Sequence, residues 1–232
     1  MTASTFDVTH TKRRTAKYRV VDAISMDPIV NAREPRGEEG RRFLEHMNAD
    51  HEEMARWGTS FLMIGKDYDV LDVGCGGGRN VQYFLEMCDK GTVTGIDMSE
   101  MSVKVSKEVN SEEIEKGRCR ILQGNVAALP FDGLSFDIVT AFETVYYWPS
   151  IVDSFKGILN VLRRGGCFMI CNEADELNER TQSWVDRIGH DMKVYNAEQL
   201  KGYLEEAGFT DIEVHRIPEN QWLCLVAMRP YD

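Results

Sequence analysis

The chain has 232 residues, enough for one ample core and too few for two comfortable domains. Apolar residues make up 43 % and charged residues 28 %, a normal globular balance, while a net charge of -11 argues against DNA or RNA as a partner. No stretch approaches the roughly 20 consecutive apolar residues of a membrane helix, and the first thirty residues lack the apolar core of a secretory signal, so the expected setting is the cytoplasm with no membrane partner.

Residues 1–36 are polar, weakly periodic and punctuated by Pro28 and Pro35, and they read as an arm. Lys12, Arg13 and Arg14 form a solvated basic run within it. Residues 37–232 read as a single domain. It opens with a helical cover of one or two helices over 38–63, where Phe43, Leu44, Met47, Met54, Phe61 and Leu62 recur near helical spacing. From Asp69 the chain alternates strand and helix. Strands are expected at Val70–Val73, Thr92–Ile96, Arg120–Gln123, Phe136–Phe142 and Cys167–Cys171. Helices are expected at Arg79–Cys88, after the N-cap Ser99, and at Ser150–Leu162, closed by Gly165 and Gly166. Leu177–His190 and Ala197–Ala207 read as two more, the second stopped by Gly208. Asp211–Ile217 and Gln221–Met228 read as a hairpin around Pro218, Glu219 and Asn220.

Repeated strand–helix units imply a doubly wound α/β fold, a mainly parallel sheet with helices on both faces and one antiparallel edge from the terminal hairpin. Ligands of such sheets bind beyond the carboxyl ends of the strands, at the switch point. The six cysteines form no CxxC pair and accompany no histidine cluster, so reduced thiols and no metal site are expected. Cys167 and Cys171 fall on one face of a strand, where core packing explains them.

The informative run is Val70-Leu71-Asp72-Val73-Gly74-Cys75-Gly76-Gly77-Gly78-Arg79-Asn80. A buried strand passes into a tight turn and then a helix, with glycines at 74, 76 and 78 that let backbone lie against a ligand. A nicotinamide-type GxGxxG would need glycine where Arg79 stands, and no Tyr-xxx-Lys pair accompanies it. A phosphate loop fails because no glycine–lysine pair is followed by Ser or Thr.

In order along the chain come Asp72 and the glycine loop, Asp97 ending the second strand, and Gly124-Asn125-Val126 after the third. Leu129-Pro130-Phe131 precedes Phe136-Asp137, and Gly165-Gly166 precedes the fifth strand. From about Phe43 to Met228 this pattern resembles the class I S-adenosylmethionine-dependent methyltransferase family. The resemblance implies a seven-stranded Rossmann-like sheet and S-adenosylmethionine as cofactor. It implies that Asp97 accepts hydrogen bonds from the ribose hydroxyls and that Met98 packs on adenine. Asn125 would read the adenine amino group, standing where the family often has Asp, and Val126 would offer its backbone N–H. Gly74, Cys75 and Gly76 would surround the methionine portion, with Asp72 close to the ammonium.

After the fourth strand comes Glu143-Thr144-Val145-Tyr146-Tyr147-Trp148-Pro149. This segment, with Met47-Asn48 and His51 upstream, is similar to that of a subgroup of small-molecule methyltransferases. The expected acceptor pocket is therefore Met47, His51, Tyr146, Tyr147, Trp148 and Asn172, with Glu143 touching the cofactor or an acceptor amine. Tyr146 and Trp148 read equally as packing residues beneath the N-terminal helix. In-line methyl transfer needs no metal, and a base only when the acceptor carries a proton. His51, Glu143 and Glu173 are the candidates for that base. Acidic and aromatic lining suits a cationic or amine acceptor. A small-molecule substrate and a monomer or homodimer are the expected partners. A non-catalytic binding member of the fold and a nicotinamide-dependent reductase are the alternatives.

Overall fold

The computed structural model describes residues 32–188 and 192–232. Most of the expected arm, Pro28 and the basic run included, lies outside the described residues, as does His190 at the end of one expected helix. The element order is α1 (Gly37–Asp50), α2 (Glu52–Thr59), β1 (Val70–Val73), α3 (Arg79–Met87), β2 (Val93–Asp97), α4 (Glu100–Val109), α5 (Ser111–Glu115), β3 (Cys119–Gln123), β4 (Phe136–Phe142), α6 (Ile151–Val161), β5 (Leu162–Asn172), α7 (Glu179–Ile188), α8 (Ala197–Ala207), β6 (Thr210–Ile217) and β7 (Trp222–Met228). One seven-stranded sheet has the order β3-β2-β1-β4-β5-β7-β6. The first five strands are parallel, and β7 pairs antiparallel with both β5 and β6. Strand order reverses between β1 and β4, which sets the ligand crevice at their carboxyl ends.

Burial follows strand position. All four residues of β1 are buried, as a central parallel strand covered on both faces requires, whereas the edge strand β6 is largely exposed. Alternation divides the core. Leu71, Val139, Phe168 and Leu225 pack with Phe155, Ile158 and Leu200 on the α6–α8 side. Val70, Ile138, Met169 and Cys224 pack with Met54, Val81 and Phe84 on the α2–α3 side. Cys167 and Cys171 both belong to this second layer, and all six cysteines are free thiols.

Local signals explain most boundaries. The Ser99 hydroxyl accepts the Ser102 N–H and caps α4. Asn196 and Gln199 form a reciprocal capping box on α8, and Gly208 ends it at φ +104°. The helical cover resolves into two helices, broken at His51. Two points depart from expectation. The short α5 was not anticipated. Gly165 and Gly166 do not close α6. That helix ends at Val161, Leu162 is already extended, and both glycines lie inside β5, where the register with β4 shifts. Arg229 caps the helix end: its guanidinium donates to the carbonyls of Leu159 and Asn160 in the last turn and of Leu162 just beyond it, and the Asn160 carbonyl also accepts the Leu134 N–H. At the amino ends of the strands, Arg163 bridges Asp69 and Asp137, joining β5 to the entries of β1 and β4.

Candidate active site

A cleft opens at the carboxyl ends of β3, β2, β1 and β4, enclosing about 1130 Å³ with its mouth included. One wall is the glycine loop. The N–H groups of Gly74 and Cys75 both donate to the Ile96 carbonyl, at 2.7 and 3.1 Å, so the loop is fastened to the end of β2. Gly74 has φ +77°, and a Cβ there would stand 2.3 Å from Thr144 Oγ1. At Gly76 (φ +50°) the nearest atom to an added Cβ is Leu44 Cδ2, at 3.8 Å, so its backbone faces open space in the cleft. Only glycine satisfies both the conformation and the approach.

Asp97 ends β2 and faces the loop. Its Oδ2 accepts the Gly76 N–H at 3.0 Å and its Oδ1 the Ser99 N–H at 2.8 Å. Burial raises its carboxyl above the ordinary range, and these N–H groups oppose the rise. The Ser102 side chain and the Met98 backbone also favour the carboxylate, which faces the cleft. Met98 and Val126 line the same end and are apolar. Asn125 lines it too, but its Oδ1 accepts the Ala127 N–H at 3.0 Å, capping a short 3-10 turn at Val126–Ala128 and leaving one lone pair.

The roof is α1. Leu44, Met47, Asn48 and His51 follow helical i, i+3, i+4, i+7 spacing and present one face to the cleft. Three contacts hold the roof down. Arg41 makes two hydrogen bonds to Glu108 of α4, at 2.7 and 3.0 Å. Ser99 Oγ donates to the Pro35 carbonyl at 2.8 Å, and Asn48 Nδ2 to the Gly77 carbonyl at 3.2 Å.

The far end, beyond β4, is built around Glu143. Its backbone sits at φ +54° and its N–H donates to the Cys171 carbonyl at the end of β5. Left-handed backbone at a glutamate is strained, as residues at functional clefts often are. One carboxyl oxygen, Oε1, accepts the Glu173 N–H and, at 3.1 Å, the Tyr146 hydroxyl. Burial drives the Glu143 carboxyl well above its usual range, and the neighbouring Glu173 charge adds to this. Burial lowers the His51 imidazole, so it is neutral at neutral pH and able to accept a proton, although Glu173 pulls the other way. Tyr147 and Trp148 line the cleft. Trp148 is mainly a core residue, stacked on Phe168 at 6.1 Å and edge-on to Phe155 at 6.0 Å.

Four expected residues lie outside the lining. Asp72 is 2 % exposed and its Oδ1 accepts the Thr140 hydroxyl at 2.8 Å across the β1–β4 pair. Tyr146 is buried behind Glu143. Asn172 is buried at the end of β5, and Glu173 pairs with Arg180 at 3.7 Å. Tyr146 and Trp148 also do not pack beneath the N-terminal helix, because their contacts are with the loops and strands after β4. Sequence reasoning missed Thr144, Arg79 and Phe43 as lining residues. Their positions beside Glu143, Gly78 and Leu44 were the available signal.

The residues fit S-adenosylmethionine. A half-buried carboxylate facing the cleft, open loop backbone at Gly76 and apolar Met98 and Val126 match a ribose, a methionine tail and an adenine face.

Comparison with known proteins agrees. The family model described as "Methyltransferase domain" matches residues 64–213, more than half of the chain. Erythromycin 3''-O-methyltransferase of Saccharopolyspora erythraea is 28 % identical over 192 residues, covering 73 % of this chain and 60 % of that protein. The matched stretch spans 34 % or less of three further curated relatives and 96 % of a fourth, an uncharacterized methyltransferase of Bacillus subtilis. Among solved structures, the methyltransferase in complex with the Haloferax volcanii Trm112 methyltransferase activator superposes with a TM-score of 0.72 at 20 % identity, covering 82 % of this chain and 94 % of that one. Phosphoethanolamine N-methyltransferase 2 of Haemonchus contortus, solved with S-adenosyl-L-methionine, gives 0.71 at 17 % identity, covering 84 % of this chain and 57 % of that one. These structural likenesses establish the fold. The domain match, the strand order and the cleft together identify the chain as a member of the class I S-adenosylmethionine-dependent methyltransferase family.

Proposed function

We propose that the chain transfers the methyl group of S-adenosylmethionine to a basic nitrogen on a small molecule. When bound, S-adenosylmethionine supplies an electrophilic methyl group on a sulfonium. Asp97 would hold the ribose hydroxyls, with Met98, Asn125 and Val126 around the adenine and the backbone of Gly74 to Gly76 along the methionine tail. α1 excludes water from above. The acceptor end would orient the nitrogen and take its proton.

The observation that carries this reading is the state of Glu143. Its Oε1 is tied into the protein while Glu143 itself lines the cleft, beside the Tyr147 ring. Among the described lining residues the carboxylates Glu52, Asp97 and Glu143 outnumber the cations Arg33 and Arg79, and Arg79 is paired with Glu52 at 3.4 Å. A carboxyl oxygen with an aromatic face beside it favours an ammonium or amine over an anion. Neutral His51 is the proton acceptor in the same cleft at neutral pH, where the Glu143 carboxyl, raised to about 8, is largely protonated until a cation approaches it. The O-methyltransferase relative supports a second reading, a hydroxyl acceptor with His51 as base.

Calorimetry with S-adenosylhomocysteine tests the cofactor half. Binding is expected with the native chain and a loss of at least tenfold with Asp97→Ala. Labelled-methyl transfer to ethanolamine, tyramine, putrescine, catechol and glucose tests the acceptor half. Transfer to amine nitrogen is expected, and turnover on oxygen acceptors alone refutes it in favour of the second reading.

A further inference from the structure

Tyr146 is the one member of the aromatic run that the cleft does not use. It is 2 % exposed and absent from the lining, in a small cluster with Ala174 and Met192 that Trp184, Val185 and Ile188 flank. A buried phenol hydroxyl requires partners, and this one has two. It donates to Glu143 Oε1 at 3.1 Å and accepts the Ala174 N–H at 3.2 Å. The Glu173 N–H donates to the same Oε1. One oxygen of Glu143 is thus clamped by two donors, one from each of the loops that follow β4 and β5.

We infer that Tyr146 is a positioning residue whose hydroxyl bridges the two loops, clamps Oε1 of Glu143 and so turns Oε2 toward the acceptor. This rests on the reading of Glu143 as the acceptor-binding group. The clamp has an electrostatic consequence. A donor to the ionised carboxylate favours ionisation, so Tyr146 and the Glu173 N–H offset the burial that raises the Glu143 carboxyl. The other groups facing Glu143 are the Glu173 carboxylate, which opposes ionisation, and Arg180 of α7, which favours it. The Tyr147 hydroxyl and the Cys171 thiol also feel its charge, and both stay protonated because burial raises them. His51, across the cleft, is coupled to Glu173.

Tyr146→Phe keeps the ring and removes the clamp. Labelling glutamate side-chain carboxyls with carbon-13 lets the Glu143 titration be followed by NMR, assigned as the resonance missing from Glu143→Gln. The expected result in Tyr146→Phe is an upward shift of about one pH unit, the size of one lost hydrogen bond to a charged group. With the panel amine of highest turnover, KM is expected to rise at least fivefold and the alkaline-going limb of kcat/KM to move up with the carboxyl. Replacing Tyr146 by 3-fluorotyrosine, a stronger donor of nearly the same size, is expected to shift the titration downward and serves if the phenylalanine variant does not fold. A titration unmoved in both variants overturns the inference and leaves Tyr146 as a packing residue. Calorimetry with S-adenosylhomocysteine separates the two levels. Absence of binding in the native chain defeats the methyltransferase reading, whereas normal binding with an unmoved titration defeats only the role of Tyr146.

Discussion

Asp72→Asn is expected to stabilise the free protein in a pH-dependent way. Asp72 sits within β1, buried on both faces, with the Thr140 hydroxyl as its hydrogen-bond partner. Burial raises its carboxyl from 3.8 to about 7; the Thr140 hydroxyl opposes the rise and the Asp97 charge adds to it. A rise of about three pH units corresponds to roughly 4 kcal/mol. Between pH 3.8 and about 7 the unfolded chain has released this proton and the folded chain has not, so stability falls by about 1.4 kcal/mol per pH unit and then levels. Asparagine accepts the Thr140 bond with its oxygen but buries an amide N–H₂, which costs about 1–2 kcal/mol. The variant is therefore expected to be about 2–3 kcal/mol more stable than native at pH 8, or about 5–10 °C in Tm, with the difference vanishing or reversing near pH 4.5. Urea denaturation followed by circular dichroism from pH 4.5 to 8.5 measures it. A difference that is constant between pH 5 and 8, or a destabilised variant at pH 8, refutes the reasoning.

Gly74→Ala is expected to lose about 2–4 kcal/mol, since left-handed strain adds to the contact with Thr144, whereas Gly76→Ala loses only about 1–2 kcal/mol. Both are expected to weaken S-adenosylhomocysteine binding, and calorimetry beside thermal melts distinguishes them; equal melting losses contradict the geometry. Arg163→Met leaves Asp69 and Asp137 without their shared cation, so Tm is expected to fall, and the gap from native to narrow between 0.05 and 1 M NaCl as screening removes the lost attraction. Arg41→Ala removes an ion pair at the surface, where water screens the attraction, so Tm is expected to change little. Release of S-adenosylhomocysteine, followed by stopped flow, is expected to accelerate severalfold because the roof is less firmly held; an unchanged rate argues that α1 does not gate the cleft.

Much of the architecture was legible in the chain. Largely apolar runs such as Val70–Val73 and Phe136–Phe142, separated by helical spacing, carry a parallel sheet because both faces of its strands are buried. The spacing of Gly74, Gly76 and Gly78 ahead of Asp97 carries the loop that folds against that acid, because all three take positive φ. Local signals were misleading where a distant residue competes with them. Gly165-Gly166 has the look of a helix stop, but Arg229, on the far side of the sequence, takes the carbonyls of α6 and leaves the glycines to the strand.

The Glu143 end of the cleft was the less legible half, because its chemistry depends on pairs that spacing does not encode. Which oxygen of Glu143 is bound, and that Tyr146 stands behind it, follow from loops after β4 and β5 meeting at adjacent strand ends. Asn125 shows the same limit, its side chain already engaged by a turn two residues on. What the sequence by itself determined was the order of strands and helices and the place where glycine backbone meets an acid, since periodicity and φ are local properties. Which side chains line the cleft, which stand behind it and which carboxyls are forced toward neutrality was decided only by the tertiary structure, because burial and hydrogen-bond partners are set by chain segments far apart in sequence.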